Sequence, residues 1–207
     1  MVSQNRLSAI MKRVIDSDYS SITELFPSTE VYHSSEIHAF LNNIIAAWTV
    51  DELTPGVMYA LLKFVHMYLD SPRIQISFKN QTPIPICYFS SYLPPSASLL
   101  HSYLRTSSLA VTLFPLDKTD RHLKEFIEKK KPPVVILTVS QFLYVHPLRR
   151  LVQYFNDKNL KIVIGGIPFV YDESLKQTFS ACVFLDDLTE LTLLLENLLK
   201  KDTDEKI

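Results

Sequence analysis

The stretch from Ile84 to Leu104, IPICYFSSYLPPSASLLHSYL, decides the fold of this chain of 207 residues. It opens with an apolar run, 84–89, that has the length of a buried strand. A loop follows and ends at Ser96, which is predicted to cap a helix that runs to about residue 105. The loop contains no Gly, His, Asp or Lys, and Pro94 and Pro95 lack the N–H groups that could hold an anion. The scaffold is therefore that of a βα unit without an evident reactive group.

The same alternation of strand and helix continues to the end of the chain. Each predicted strand is a short, continuous apolar run, which is typical of a parallel sheet covered on both faces. We predict an α/β fold with a flavodoxin-like, doubly wound, five-stranded parallel sheet, whose ligand cleft lies at the carboxyl ends of the strands. The predicted strands are 84–90, 108–114, 133–139, 161–165 and 181–185, and the predicted helices are 96–105, 118–130, 145–157, 172–179 and 187–200.

The first third of the chain has helical rather than strand periodicity. Apolar residues recur at helical spacing over 6–15, 19–26, 34–48 and from Thr54 onwards, which predicts an N-terminal four-helix bundle over 1–70. Residues 71–83 are predicted to be a linker with a short strand at 74–78. The α/β domain then occupies 84–201, and 202–207 form a charged tail.

Composition argues against several classes of partner. The net charge is -1, and the run Lys129–Lys131 lies where a helix is predicted to end, so no nucleic-acid partner is expected. The chain lacks an apolar stretch of about 18 residues and an N-terminal signal peptide, so no membrane contact is expected. Cys87 and Cys182 lie in predicted strands and are expected to be buried thiols. These features predict a cytoplasmic protein.

Motifs for catalysis are absent from the sequence. It has 3 glycines and no GxGxxG, GxxxxGK[ST] or GxSxG string, and none of its 6 histidines stands at metal-ligand spacing. We therefore predict no catalytic residue, no metal ligand and no enzymatic activity, since an enzyme would need a titratable cluster at the strand ends. Gly165-Gly166 permits either close approach of a flat ligand or a tight turn after its strand, and the sequence leaves both open.

Four segments, taken in order, resemble those of a known family. They are Ala9–Tyr19, Trp48–Thr54, Thr138–Ser140 and Ile162–Pro168. The last is similar to a strand end of the form V-x-[VI]-G-G. In this order, the four segments resemble the cobalamin-binding modules of corrinoid methyltransferases and of MerR-type light-sensing regulators. Those modules join a four-helix cap to a flavodoxin-like domain.

The departures from that family concern its cobalt chemistry. The resemblance places Leu93 where the family has the histidine that ligates cobalt from below. Met58 and Tyr59 stand where light-sensing members have a Glu-His pair, and Asp51 replaces a glycine of the cap. The resemblance therefore implies a degenerate module in which binding through a lower histidine is not expected.

These departures favour a non-enzymatic sensory module that regulates a protein partner through a shift of its cap. The alternative is a sensor that binds cobalamin without the histidine, or heme; no cofactor is assigned from the residues themselves. A homodimer is a further expectation. The residues expected to line the cleft are Trp48, Met58 and Tyr59 above the ligand, and Ser91, Tyr92, Leu93, Thr138, Ser140, Gly165 and Gly166 below it.

Overall fold

Two helices precede the sheet in the computed structural model, which describes residues 33–50, 52–71, 76–116, 120–184 and 187–204 with positions 12 and 74. Helix α1 spans Ser34–Thr49 and helix α2 spans Pro55–Leu69. Thr54 caps α2, since its hydroxyl accepts a hydrogen bond from the Val57 N–H at 3.3 Å. Helices α1 and α2 correspond to the third and fourth helices of the predicted N-terminal bundle. The predicted helices at 6–15 and 19–26 lie outside the described residues, apart from Lys12, which is helical.

The α/β part forms the predicted five-stranded sheet. All its strands are parallel, in the order β2-β1-β3-β4-β5. This order confirms the doubly wound α/β fold. The elements are β1 (Ile84–Tyr88), α3 (Pro95–Thr106), β2 (Val111–Pro115), α4 (Arg121–Lys130), β3 (Val134–Thr138), α5 (Val145–Asp157), β4 (Lys161–Gly165), α6 (Ile167–Tyr171), α7 (Ser174–Thr178), β5 (Val183–Phe184) and α8 (Leu188–Asp204).

The central strands are buried on both faces, and alternate side chains enter different hydrophobic clusters. One cluster combines strand residues such as Ile86 and Ile136 with leucines of α3 and α8. The other combines Cys87 and Leu137 with apolar residues of α4 and α5. This alternation follows from the period of two in a β-strand, and it explains why each central strand is an unbroken apolar run.

Three predicted elements differ from the structure. Residues 74 and 76–78 form no strand; the segment is instead held at Asn80, whose amide donates to the carbonyl oxygens of Thr82 and Ala110. The helix predicted at 172–179 is shorter in the structure, where α7 spans Ser174–Thr178 and the Asp172 carboxylate accepts a hydrogen bond from the Ser174 N–H at 3.0 Å; α6, which precedes it, was not predicted. β5 has two residues within the described range, where the sequence predicted five.

Helices α1 and α2 pack on α3, the helix that follows β1. Tyr103 of α3 belongs to the hydrophobic cluster of α1 and α2. Arg105 of α3 forms an ion pair with Asp70 and donates a hydrogen bond to the carbonyl oxygen of Leu69, 2.8 Å away. The two helices are therefore attached to the first helix of the α/β part by both apolar and polar contacts.

Candidate functional site

The carboxyl edge of the sheet carries two clefts. The first, the apolar cleft, has a volume of about 430 Å³ and lies between β3, β4 and the helices α1, α3, α6 and α8. Its described lining is Ile45, Ser96, Leu99, Leu100, Ile136, Leu137, Thr138, Val163, Gly165, Gly166, Ile167, Val170, Tyr171, Leu188 and Leu191. Most of these side chains are aliphatic, so the cleft suits a flat, apolar part of a ligand.

The second, the hydroxyl cleft, has a volume of about 640 Å³ and lies beyond the ends of β1, β2 and β3. Its described lining is Phe89, Ser90, Ser91, Tyr92, Leu116, Ser140, Gln141, Leu143, Tyr144 and Pro147. In the lining of the apolar cleft, the Thr138 hydroxyl, at the end of β3, donates to the Ser96 hydroxyl in the first turn of α3 at 3.3 Å.

The ten residues predicted to line one cleft divide between several places. Thr138, Gly165 and Gly166 line the apolar cleft. Ser91, Tyr92 and Ser140 line the hydroxyl cleft. Leu93 is half-buried in the loop between them and lines neither cleft. Trp48 and Tyr59 are exposed on α1 and α2, without belonging to either lining.

Met58 of α2 lines neither cleft. Its side chain is 4% exposed and packs in the hydrophobic cluster of α1 and α2. The reason is helical geometry: Met58 lies three residues before Leu61 and four before Leu62, on the face of α2 that is buried against α1. In this structure Met58 therefore packs between α1 and α2, and its contact with a ligand stays a prediction.

Gly166 is required by the turn after β4, one of the two interpretations left open by the sequence. Its φ is 129°, and a Cβ atom at this position would lie 2.0 Å from the carbonyl oxygen of Val139. Glycine is thus required by the close approach of two backbone segments at the ends of β3 and β4. Its place in the cleft lining is a consequence of that turn.

Large apolar side chains are exposed around both clefts. Six of them, in the loops or helices that follow β1, β3 and β4, are between 51% and 80% exposed: Tyr92, Phe142, Leu143, Ile167, Val170 and Tyr171. Exposed apolar surface concentrated at one edge of a sheet indicates a surface that a ligand or partner covers. We call these six residues the apolar rim.

Sequence reasoning missed the apolar cleft residues contributed by α1, α3, α6 and α8. Ile45 and Leu99 were correctly placed on helices, but periodicity does not show which apolar positions face an open cleft rather than the core. The sequence did contain a local indication of α6. The run Ile167–Tyr171 follows the glycine pair and contains no charged residue. Pro168 lies in its first turn, a position that favours the start of a helix.

Titratable groups suited to catalysis do not line these clefts in the described part of the chain, where the linings contain tyrosines but no acid, lysine, arginine, histidine or cysteine. The thiols lie elsewhere: burial raises the pKa of Cys87 strongly and raises the pKa of Cys182 to about 11. Neither is in a disulfide. Among the residues that the structure describes, no three His, Cys, Asp or Glu side chains are grouped to hold a metal ion.

The buried His101 and the half-buried His66 lie instead where α2 meets α3. The rings of His66 and His101 are 5.0 Å apart, and His66 is 3.3 Å from the Asp70 carboxylate. Burial, followed by the nearby His66 and Arg105, lowers the pKa of His101 to about 3. The Nδ1 atoms of both histidines are buried without a hydrogen-bond partner in the described structure. This pair belongs to the packing of the two helices and not to either cleft.

Comparisons with known proteins give the fold a clear context. No protein-family model and no curated protein matches the sequence. A cobalamin-binding protein from Desulfitobacterium hafniense DCB-2 has a similar structure, with a TM-score of 0.56 and 16% identity over 93% of this chain and 98% of that one. This fold is therefore found in a protein that binds cobalamin.

Two structures from Methanosarcina barkeri are also similar. The methanol:cobalamin methyltransferase complex matches with a TM-score of 0.55 and 10% identity, over 95% of this chain and 80% of that one. The monomethylamine corrinoid protein matches with a TM-score of 0.53 and 12% identity, over 93% and 98%. The resemblance inferred from the sequence is confirmed for the fold, while the degeneracy of the site stays a prediction. No helix among the described residues is long and apolar enough to cross a membrane.

Proposed function

We propose that this protein is a regulatory module that binds a tetrapyrrole of the cobalamin class at the carboxyl edge of its sheet, without a histidine ligand from the protein. The observation that supports it best is the apolar cleft together with the apolar rim beside it. Leaving so many large apolar side chains in water is unfavourable, and a broad, flat ligand would cover them.

The cleft residues fit the two parts of cobalamin differently. Cobalamin has a flat corrin ring, which carries cobalt, and a nucleotide tail that ends in an aromatic base. Leu99, Val163 and Leu191 would hold an aromatic base in the apolar cleft, whose volume of about 430 Å³ is too small for the whole cofactor. The ring would have to lie on the exposed rim. When bound, the group would supply a cobalt centre with a visible absorption spectrum.

The loop after β1 argues against a protein ligand to the cobalt. Leu93 has no atom that can coordinate a metal, and Pro94 and Pro95 fix the backbone at the start of α3. The described linings of the two clefts contain no histidine, cysteine or methionine. We therefore expect bound cobalamin to keep a spectrum without histidine coordination.

The position of α1 supports a regulatory role. Ile45 of α1 lines the same cleft as Leu99 of α3 and Ile167 of α6. A ligand that contacts all three would favour one arrangement of the two N-terminal helices on the sheet, and a protein partner could bind that arrangement preferentially. The absence of acids, bases and nucleophiles from the described cleft linings supports a module that senses a ligand and does not transform it. A homodimer is one form that such a partner could take.

An absorption titration with hydroxocobalamin tests this proposal. Saturable binding with a changed visible spectrum is expected for the unmodified protein. In the variant Ile167→Glu, a carboxylate at the mouth of the apolar cleft should weaken binding at least about tenfold, because it would be buried unpaired under the ligand. Leu193→Glu is the matched control: Leu193 is 57% exposed on α8 and lines neither cleft, so its affinity should stay within about twofold of the parent.

A parallel titration with hemin distinguishes a heme sensor from a cobalamin-binding module. Binding of hemin alone, weakened by Ile167→Glu, would indicate a heme sensor on the same surface. Failure of both compounds to bind a folded protein would overturn the tetrapyrrole proposal.

A further inference from the structure

The hydroxyl cleft lies at the topological switch point of the sheet. The chain passes from β1 outward to β2 and then crosses back to β3 on the other side of β1. The loops after β1 and β3 therefore diverge, and a crevice opens between them. Ligands of open α/β sheets bind in this crevice, outside the carboxyl ends of the strands. Its lining shares no residue with that of the apolar cleft, although Tyr92 and Leu143 at its edge also belong to the apolar rim.

The polar groups of the hydroxyl cleft are free to bind a ligand. Ser91, Ser140 and Tyr144 contribute hydroxyls and Gln141 contributes an amide, and these side chains have no hydrogen-bond partner among the described residues. The loop itself is held in place, since the Ser90 hydroxyl accepts a hydrogen bond from the Tyr92 N–H at 3.2 Å. The cleft thus combines a fixed loop with hydroxyl and amide groups that can donate and accept hydrogen bonds to a ligand.

Flat apolar surfaces accompany these polar groups. The rings of Phe89 and Tyr144 are stacked, with centroids 5.3 Å apart and planes inclined by 16°. Tyr92 and Leu143, on opposite loops, are each 65% exposed at the edge of the cleft. Aromatic faces next to hydrogen-bonding groups suit a planar ring with polar edges.

The described lining contains no Asp, Glu, Lys, Arg or His. A phosphate would therefore find no cation there, and the start of α3 offers it no N–H groups at Pro94 or Pro95. An ionised ligand would lose hydration without gaining an ionic partner. The cleft chemistry consequently favours an uncharged molecule.

We propose that the hydroxyl cleft binds an uncharged planar heterocycle that carries hydroxyl or amide groups, the class to which riboflavin and nucleosides belong. The proposal does not rest on the apolar cleft, because it depends on the loops after β1 and β3 and not on α1, α6 or α8; the two ligands would share only the rim residues Tyr92 and Leu143. The two sites can be tested separately in the same protein.

Titrations with riboflavin, adenosine and guanosine test this site, followed by flavin fluorescence for the first and by calorimetry for the nucleosides. Saturable binding of at least one is expected. Gln141→Ala should weaken it about threefold to tenfold, the loss of one or two hydrogen bonds to a neutral group. Gln177→Ala is the matched control, since Gln177 is exposed on α7 outside both clefts and should leave the affinity unchanged.

Nuclear magnetic resonance locates the bound compound. The backbone amide signals of Ser91, Ser140 and Gln141 should shift on titration, and those of Leu99 and Gly165 in the apolar cleft should not. Flavin mononucleotide, which adds a phosphate to riboflavin, should bind no more tightly than riboflavin itself.

Three results would overturn the proposal: no saturable binding of any probe to folded protein up to about 1 mM, signal shifts centred on the apolar cleft, or clearly tighter binding of the phosphorylated flavin. Each of these results is compatible with cobalamin binding. Conversely, loss of cobalamin binding in Ile167→Glu with unchanged riboflavin binding would show that the two sites are separate.

Discussion

Gly166 is the residue whose identity the fold constrains most directly. Replacing it with alanine would place a Cβ atom 2.0 Å from the Val139 carbonyl oxygen and would force a side chain to adopt a φ of 129°. We expect Gly166→Ala to lower the free energy of unfolding by about 3 kcal/mol or more, because the ends of β3 and β4 must separate. Chemical denaturation measures this loss.

Gly56→Ala is the control for that experiment. Gly56 lies in the first turn of α2, where an added Cβ would have Thr54 Oγ1 as its nearest contact, 4.0 Å away. Alanine is a better helix former than glycine, so this change should be neutral or stabilising by up to about 1 kcal/mol. Equal destabilisation by both changes would contradict the reason given for Gly166.

His101 makes stability depend on pH. Burial lowers the pKa of its imidazole to about 3, below the ordinary value of 6.5, so between these values the unfolded chain binds a proton that the folded chain does not. Its contribution to stability is therefore largest above pH 6.5 and is lost as the pH falls. From pH 7 to pH 4 the loss should be about 3 kcal/mol.

The variant His101→Phe isolates this contribution from that of the carboxylates. Denaturation of the parent and the variant at pH 7 and pH 4 gives two differences in unfolding free energy. Relative to the parent, the variant should be more stable at pH 4 than at pH 7. Parallel pH curves for the two proteins would show that His101 does not titrate as described.

Among the secondary-structure elements, the strands of the sheet were predicted well from apolar runs in the sequence. The predicted bounds of β4 agree with the structure, and those of β1, β2 and β3 differ by a few residues. The sequence did not predict α6, and it placed the start of α7 two residues early, at Asp172. It also failed to separate the two clefts, because strand order is needed to show that Ser91 and Ser140 meet on one side and Thr138 and Gly165 on the other.

The contact between α2 and α3 depends on Arg105. Its guanidinium, 17% exposed, bonds both to the Asp70 carboxylate and to the Leu69 carbonyl at the end of α2. Arg105→Met should lower the unfolding free energy by about 1–3 kcal/mol, because a partly buried carbonyl would lose its charged donor. Thermal or chemical denaturation gives the value.

Arg121→Met provides the comparison for this prediction. Arg121 also pairs with a carboxylate, that of Glu125 at 2.7 Å, but its side chain is 79% exposed on α4. Water screens an exposed pair of this kind, so Arg121→Met should lower the unfolding free energy much less than Arg105→Met. Similar losses of unfolding free energy in both variants would mean that Arg105 stabilises the protein no more than an exposed arginine does.

For the whole molecule, the central question is whether the N-terminal helices and the sheet respond together to a ligand. Ile45 of α1 and Val163 of β4 line the same apolar cleft, although 118 positions separate them in the sequence. A ligand in this cleft stabilises every contact that must open before it leaves. With hydroxocobalamin at about 100 times its dissociation constant, amide exchange by such opening should slow about 100-fold.

Hydrogen exchange therefore tests the proposed regulatory coupling. Protection is expected in α1 around Ile45 as well as in β3 and β4, because the cleft residues of all three elements would contact the ligand. The Ile167→Glu variant should lose the added protection in all three together, whereas Leu193→Glu should retain it. Protection confined to the sheet would show that α1 moves independently of the bound ligand, and a partner could then not detect the ligand through these helices.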